Sequence, residues 1–295
     1  MGCSVVDKFK TYPQYGIYKI DHDLKGLKKN GEYNFPRFDT IEDYEKRCPT
    51  MKSFLKNVSD QAMLVVSGAD PLCAATLKIL ETIKGRAEIS VTYIKPDAEL
   101  TNRNSQMMDN AAFNIFQEYA RSGVFSKIYL VSQELLASAV GEVSILDFDN
   151  KATELMSFLL HIINVMKNSA PVYDNFTPEI ELARICTLGM ASIDNNEETM
   201  LFEVEYPKEK TYYYLIPEET LQKDIKLMKK IINQVKTRTE NGKIKINFGV
   251  YQSEYEEPFV YVVSSSAIIQ GIDLTWKQNY KRYPIGYENL QTGAQ

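Results

Sequence analysis

Histidine and cysteine, two side chains suited to chemistry near neutral pH, are scarce in this sequence. Only His22 and His161 occur, too few for a His-rich metal site and a poor basis for a Ser-His-Asp centre. Four cysteines, Cys3, Cys48, Cys73 and Cys186, are scattered without a close pair, as suits free thiols in a reducing compartment. There is no G-x-G-x-x-G run and no credible nucleophile–base pair, which argues against a dinucleotide-dependent metabolic enzyme. Carboxylates and backbone amides remain, and two stretches bring them together. SGADPLC (67–73) ends an apolar run and opens a helix, with Asp70 placed as N-cap and Pro71 in the first turn. VYDNFTPEIE (172–181) is an acidic loop in which Asp174-Asn175 and Thr177-Pro178-Glu179 read as a turn and a helix cap.

Such stretches need a frame, and the strongest element is DNKATELMSFLLHIINVMKN (149–168). Asp149 and Asn150 are N-cap candidates with Glu154 close behind. Ala152, Leu155, Met156, Leu159, Ile163 and Met166 form one helical stripe, and Phe158, Ile162 and Val165 a second. A helix apolar on two faces is expected between two layers. Its apolar core is too short, and with His161 and Asn164 too polar, to span a membrane.

Composition sets the wider limits. The chain has 295 residues, 44% hydrophobic and 25% charged, as in a globular protein with a full core. Net charge is −5 and no dense Lys/Arg block appears, so neither nucleic acid nor a membrane is an expected partner. No signal peptide or membrane span is visible, and MGCS carries Val6 where myristoylation prefers Ser or Thr; a cytoplasmic protein is expected.

Before the long helix, strands and helices alternate. Expected strands are 15–21, 62–68 (buried on both sides), 88–94 and 127–132; expected helices are 41–58 (interrupted by Pro49), 69–85, 107–123 and 134–140. A Lys/Gly/Asn-rich loop is expected at 25–37. This rhythm predicts an α/β, Rossmann-like, doubly wound parallel sheet, with ligands at the strands' C-terminal ends. After the helix the reading becomes a smaller α+β domain beyond it. A short helix is expected near 181–187, β-rich stretches at 188–193, 200–206, 210–216, 245–251 and 258–269, and an amphipathic helix at 218–238. The expected organisation is 1–148, the connecting helix 149–168, a C-terminal domain 169–274 and a tail 275–295.

The serial order of these pieces resembles the tubulin/FtsZ superfamily. GCSVVDKF is similar to its glycine-cysteine turn and first helix, and YGIYKIDHD to its second strand and Asp-bearing loop. NAAFNIFQ (110–117) resembles the helix beneath the nucleotide, and KIYLVSQELL the strand and short helix that follow. ILDFDNKATEL resembles the start of the long core helix, and KIKINFGVYQSEYEEPFVYVVSSSAI the paired C-terminal strands.

The resemblance implies a cytoskeletal protein that binds GTP or GDP with Mg²⁺ and self-assembles head to tail into filaments, with slow hydrolysis at the subunit interface. It implies nucleotide contacts at Gly2, Cys3, Asp23, Gly68, Ala69, Asp70, Leu72, Cys73, Glu99, Arg103, Phe148, Asp149 and Glu154, and no metal-ligating side chains. Phe148 would stack on the base, although an aromatic there reads equally as core. Asp174, Glu179 and Glu181 would be the acids reaching the next subunit's nucleotide, once the register of the family's loop is slipped. Two departures stand against this. Where the family has GGGTGTG this chain has SGADPLC: Gly68 survives, Asp70 brings negative charge and Pro71 removes an amide. The family's first strand would precede Gly2, so the sheet is expected to lack it or to take it from residues ahead of the present start. The alternative is a relative of the same fold that has lost GTP binding and serves as a scaffold.

Overall fold

The structure, a computed structural model, describes residues 1–24, 31–239 and 242–271. The expected tail at 275–295, the end of 169–274 and part of the 25–37 loop lie outside the described residues.

In chain order the elements are α1 (Gly2–Lys8), β1 (Lys19–Asp21), β2 (Glu32–Asn34), α2 (Ile41–Lys46) and β3 (Asp60–Ser67). A 3-10 turn (Pro71–Ala75) precedes α3 (Thr76–Glu81), β4 (Ala87–Lys95), α4 (Arg103–Arg121), β5 (Lys127–Ser132), α5 (Gln133–Val140) and α6 (Phe148–Asn168). Then come β6 (Tyr173–Asp174), β7 (Ile185–Ala191), β8 (Glu198–Met200), β9 (Glu209–Pro217), α7 (Glu218–Lys223), α8 (Leu227–Thr239), β10 (Lys245–Ser253) and β11 (Phe259–Ser266).

One sheet runs through the molecule in the order β3-β4-β5-β7-β11-β9-β10-β6, with β8 beside β7. β3, β4 and β5 are parallel, and β5 joins β7 in parallel through 128–130 against 185–187. Beyond that join β11 is antiparallel to both β7 and β9, and β9 and β10 are parallel. The C-terminal half is therefore an extension of the same sheet, and not a layer lying beyond α6. Alternation along β4 divides the two faces: Ile89, Val91 and Tyr93 meet α3 and α4 through Ile79, Leu80, Phe113 and Phe116, whereas Ile94 belongs to the α6 side.

α6 is the expected buried rod, 21 residues and ~30 Å long. Ala152, Met156, Leu159, Ile163 and Met166 are buried against Tyr129, Val131, Cys186 and Tyr261 of the sheet. Of the second stripe, Ile162 is buried and Phe158 packs edge-on against Tyr255 and Phe259. The helix begins at Phe148 behind Asp147, so Asp149 and Asn150 are first-turn residues and not caps.

Other expectations change for identifiable reasons. β3 is the outer strand of the large sheet, with Met63 exposed, so its apolar run is not buried on both sides. β1 is a three-residue strand that pairs, among the described residues, with β2 alone, and β2 lies within the expected 25–37 loop. The helix expected at 41–58 stops at Lys46, three residues before Pro49. No helix forms at 181–187, because Ile185 to Thr187 are taken up by the ladder to β5. Of 200–206, only Met200 belongs to a strand. The helix expected at 218–238 is divided in two at Asp224, whose ψ of 90° is extended and whose side chain accepts from Lys226 N–H at 2.9 Å.

Candidate functional site

Gly68 follows the C-terminal end of β3, where the parallel sheet was expected to hold a ligand. Its N–H donates to Ile94 O at 3.0 Å, and Asp70 N–H to Ser67 O at 3.2 Å. The Asp70 carboxylate caps the next turn, accepting from Leu72 N–H at 2.9 Å, and Cys73 N–H donates to Asp70 O at 2.8 Å. Pro71 has no N–H. Of the loop's amides from 68 to 73, these bonds leave only that of Ala69, so SGADPLC realises the N-cap reading.

Space around Gly68 is used as well. A Cβ there would overlap the Asp109 carboxylate and the Tyr93 hydroxyl. Asp109, 3% exposed, accepts from Tyr93 Oη at 2.7 Å and pairs with Lys95 Nζ at 2.6 Å. The glycine is needed for close approach of this buried cluster. A triphosphate would meet the Asp70 carboxylate and almost no free amide, so the loop as folded lacks the donors to hold GTP with Mg²⁺. Lys95, Tyr93 and Asp109 are not among the site residues expected from the sequence. Their only signal was Asp109 on the helix face shared with Phe113 and Phe116.

The other candidates are dispersed. Cys3 Sγ donates to Ile20 O at 3.8 Å, while Gly2 abuts the Val65 carbonyl. Asp23 pairs with Arg37. Glu99 and Arg103 are exposed on the β4–α4 loop and the start of α4. Phe148 is half-buried and Asp149 exposed at the start of α6. Glu154, one turn later, takes hydrogen bonds from Lys151, Lys8 and Asn150, which hold its carboxyl below the usual range.

Burial pushes the thiols of Cys3 and Cys73 up to about 12, helped at Cys3 by Asp21 and at Cys73 by Asp109 and Asp70. Both should stay protonated and unreactive. Alkylation by iodoacetamide at pH 8, followed by mass spectrometry, is expected to run at least about 100-fold slower at these positions in the native protein than in urea. Rapid native labelling of either would contradict the packing described.

The three acids lie at the other end of the parallel strands. Glu179 pairs with Lys127 Nζ at 2.9 Å, at the start of β5. Asp174 caps Phe176 N–H at 3.0 Å, and Glu181 lies 3.7 Å from Arg184. The loop is stitched to β10: Asn175 Oδ1 accepts from Phe248 N–H at 2.6 Å and Thr177 Oγ1 donates to Asn247 Oδ1 at 3.0 Å. Within one chain, none of these acids reaches the Gly68 loop. Among the described residues no three His, Cys, Asp or Glu side chains gather to hold a metal ion, and no helix is long and apolar enough to cross a membrane.

No family model and no curated protein matches the sequence. Solved structures do match. A GTPγS-form protofilament of TubZ from Bacillus thuringiensis serovar israelensis superposes with a TM-score of 0.65 at 12% identity, covering 95% of this chain and 91% of that one. The chain has the tubulin/FtsZ fold. CetZ from Methanosaeta thermophila gives a TM-score of 0.64 at 15% identity over 95% and 88% of the two chains. An empty FtsZ dimer from M. jannaschii gives 0.54 at 10% identity over 77% and 68%. At such identities the tubulin/FtsZ likeness is one of architecture, and function has to be argued from this chain's own residues.

Proposed function

We propose that this chain is a nucleotide-independent assembly protein of the tubulin/FtsZ fold, joining end to end with further copies of itself. The observation that carries the reading is the exposure of large apolar side chains beyond both ends of α6. Ile145 and Leu146, 91% and 90% exposed, precede its start. Val172 and Leu182, 65% and 66% exposed, follow its end together with Tyr173 and Phe176. Apolar side chains this exposed favour burial against a partner. Two different surfaces at opposite ends make a heterologous contact, which propagates as an open filament unless it closes into a ring. The closed SGADPLC loop supports assembly without nucleotide. TubZ solved as GTPγS-form and GDP-form protofilaments supports the competing reading, GTP-driven assembly with Asp174, Glu179 or Glu181 acting on the next subunit's nucleotide.

Sedimentation across a concentration series, with and without GTP and Mg²⁺, separates the two. Pelleting is expected above a critical concentration in both conditions, with no shift in melting temperature and no phosphate release. Leu146→Asp and Leu182→Asp are each expected to raise the critical concentration at least tenfold, since each places a charge in a contact that excludes water. Pelleting that requires GTP, or clear thermal stabilisation by it, would replace this reading with the GTP-driven one.

A further inference from the structure

Between α6 and the sheet, under the loop that carries the three acids, lies a cavity that neither reading uses. It gives about 40 Å³ of room to the centres of water-sized molecules, space for roughly three such groups at 10–15 Å³ each. Lys127 and Tyr129 of β5, Lys167 of α6, Tyr213 of β9 and Tyr261 of β11 line it. Tyr261 is wholly buried, and its hydroxyl has no hydrogen-bond partner. Native interiors rarely leave such a group unpaired. The Tyr213 ring stands 5.8 Å from it, bringing a second phenol to the same wall.

Two carboxylates also face the cavity, and both are engaged. Glu209 accepts from Lys245 Nζ at 3.1 Å, from Ile180 N–H at 3.0 Å and from Asn247 Nδ2. Glu179 is held by Lys127 at 2.9 Å. Lys167, in the last turn of α6, has no ion-pair partner among the described residues. The uncommitted groups are therefore one ammonium and buried phenol O–H donors. That set calls for an acceptor-rich, negatively charged group of a few heavy atoms.

We propose that this cavity binds a small oxyanion, a carboxylate or inorganic phosphate, held by the Tyr261 hydroxyl and the Lys167 ammonium. The ligand sits beside the Lys127–Glu179 pair that anchors the acid-bearing loop. Binding is independent of whether the chain assembles, so it is measured on dilute full-length protein.

Thermal melts and calorimetric titration with sodium acetate, and separately with sodium phosphate, are compared with sodium chloride at equal ionic strength. One of the two oxyanions is expected to bind saturably, and which one identifies the ligand class. Tyr261→Phe should weaken that binding at least tenfold while melting, without ligand, at or above the wild-type temperature. Lys167→Met, a change at an exposed position, should weaken it by a similar factor and gives the same reading if the buried variant folds poorly. Binding retained in both variants, or no saturation by either oxyanion beyond chloride, as water alone in the cavity would give, overturns the proposal.

Discussion

Gly68→Ala is expected to lower the stability of the protein by about 3 kcal/mol, the upper end of overpacking costs, and to do so equally with and without GTP and Mg²⁺. The added methyl would overlap the Asp109 carboxylate and the Tyr93 hydroxyl, both on buried side chains with little room to withdraw. Urea unfolding followed by circular dichroism measures the cost. In a loop that cradles phosphate the same substitution would chiefly weaken ligand binding. A stable Gly68→Ala protein with impaired GTP binding would restore the phosphate reading of SGADPLC.

Lys95→Met should have an effect of similar size. It keeps an unbranched side chain but removes the cation, which lies 2.6 Å from Asp109 and 4.5 Å from the centroid of the Phe113 ring. A carboxylate left buried without its partner costs about 3–5 kcal/mol; because Lys95 is partly exposed, about 3 kcal/mol is expected here. Adding Asp109→Asn to Lys95→Met should recover most of that loss, since the amide oxygen still accepts from Tyr93 and the stranded charge is gone. A double variant no more stable than Lys95→Met would mean that charge burial is not the source of the cost. The Gly68 and Lys95 substitutions touch one cluster, so their effects should not add.

Elements set by local pattern were readable in the sequence. The strand at 127–132 has the bounds expected of it, and α6 differs from expectation by one residue at its start. Features set by distant neighbours were not. The apolar run of β3 reads like a central strand, yet exposure depends on whether another strand lies alongside, which 62–68 does not encode. Ile185 to Thr187 look helical in isolation but are captured by β5. The site divides in the same way. Asp70 and Pro71 announced a helix cap and form one, because capping is local. That Asp109 would fill the space beside Gly68 depends on two elements meeting at their ends, and the pairing of Glu179 with Lys127 spans 52 positions. Exposure of Ile145 and Leu146 was equally hidden, since an apolar pair does not encode whether another element will cover it.

The three-residue ladder between β5 and β7 bears on how the molecule would behave under load. A body made of two units on a linker yields by swinging, whereas here any relative rotation of the halves must bend a continuous web of backbone hydrogen bonds. Tension applied at opposite ends of α6 would run in parallel through helix and web. That arrangement resists stretching, and the short seam at 128–130 is where shear would concentrate first.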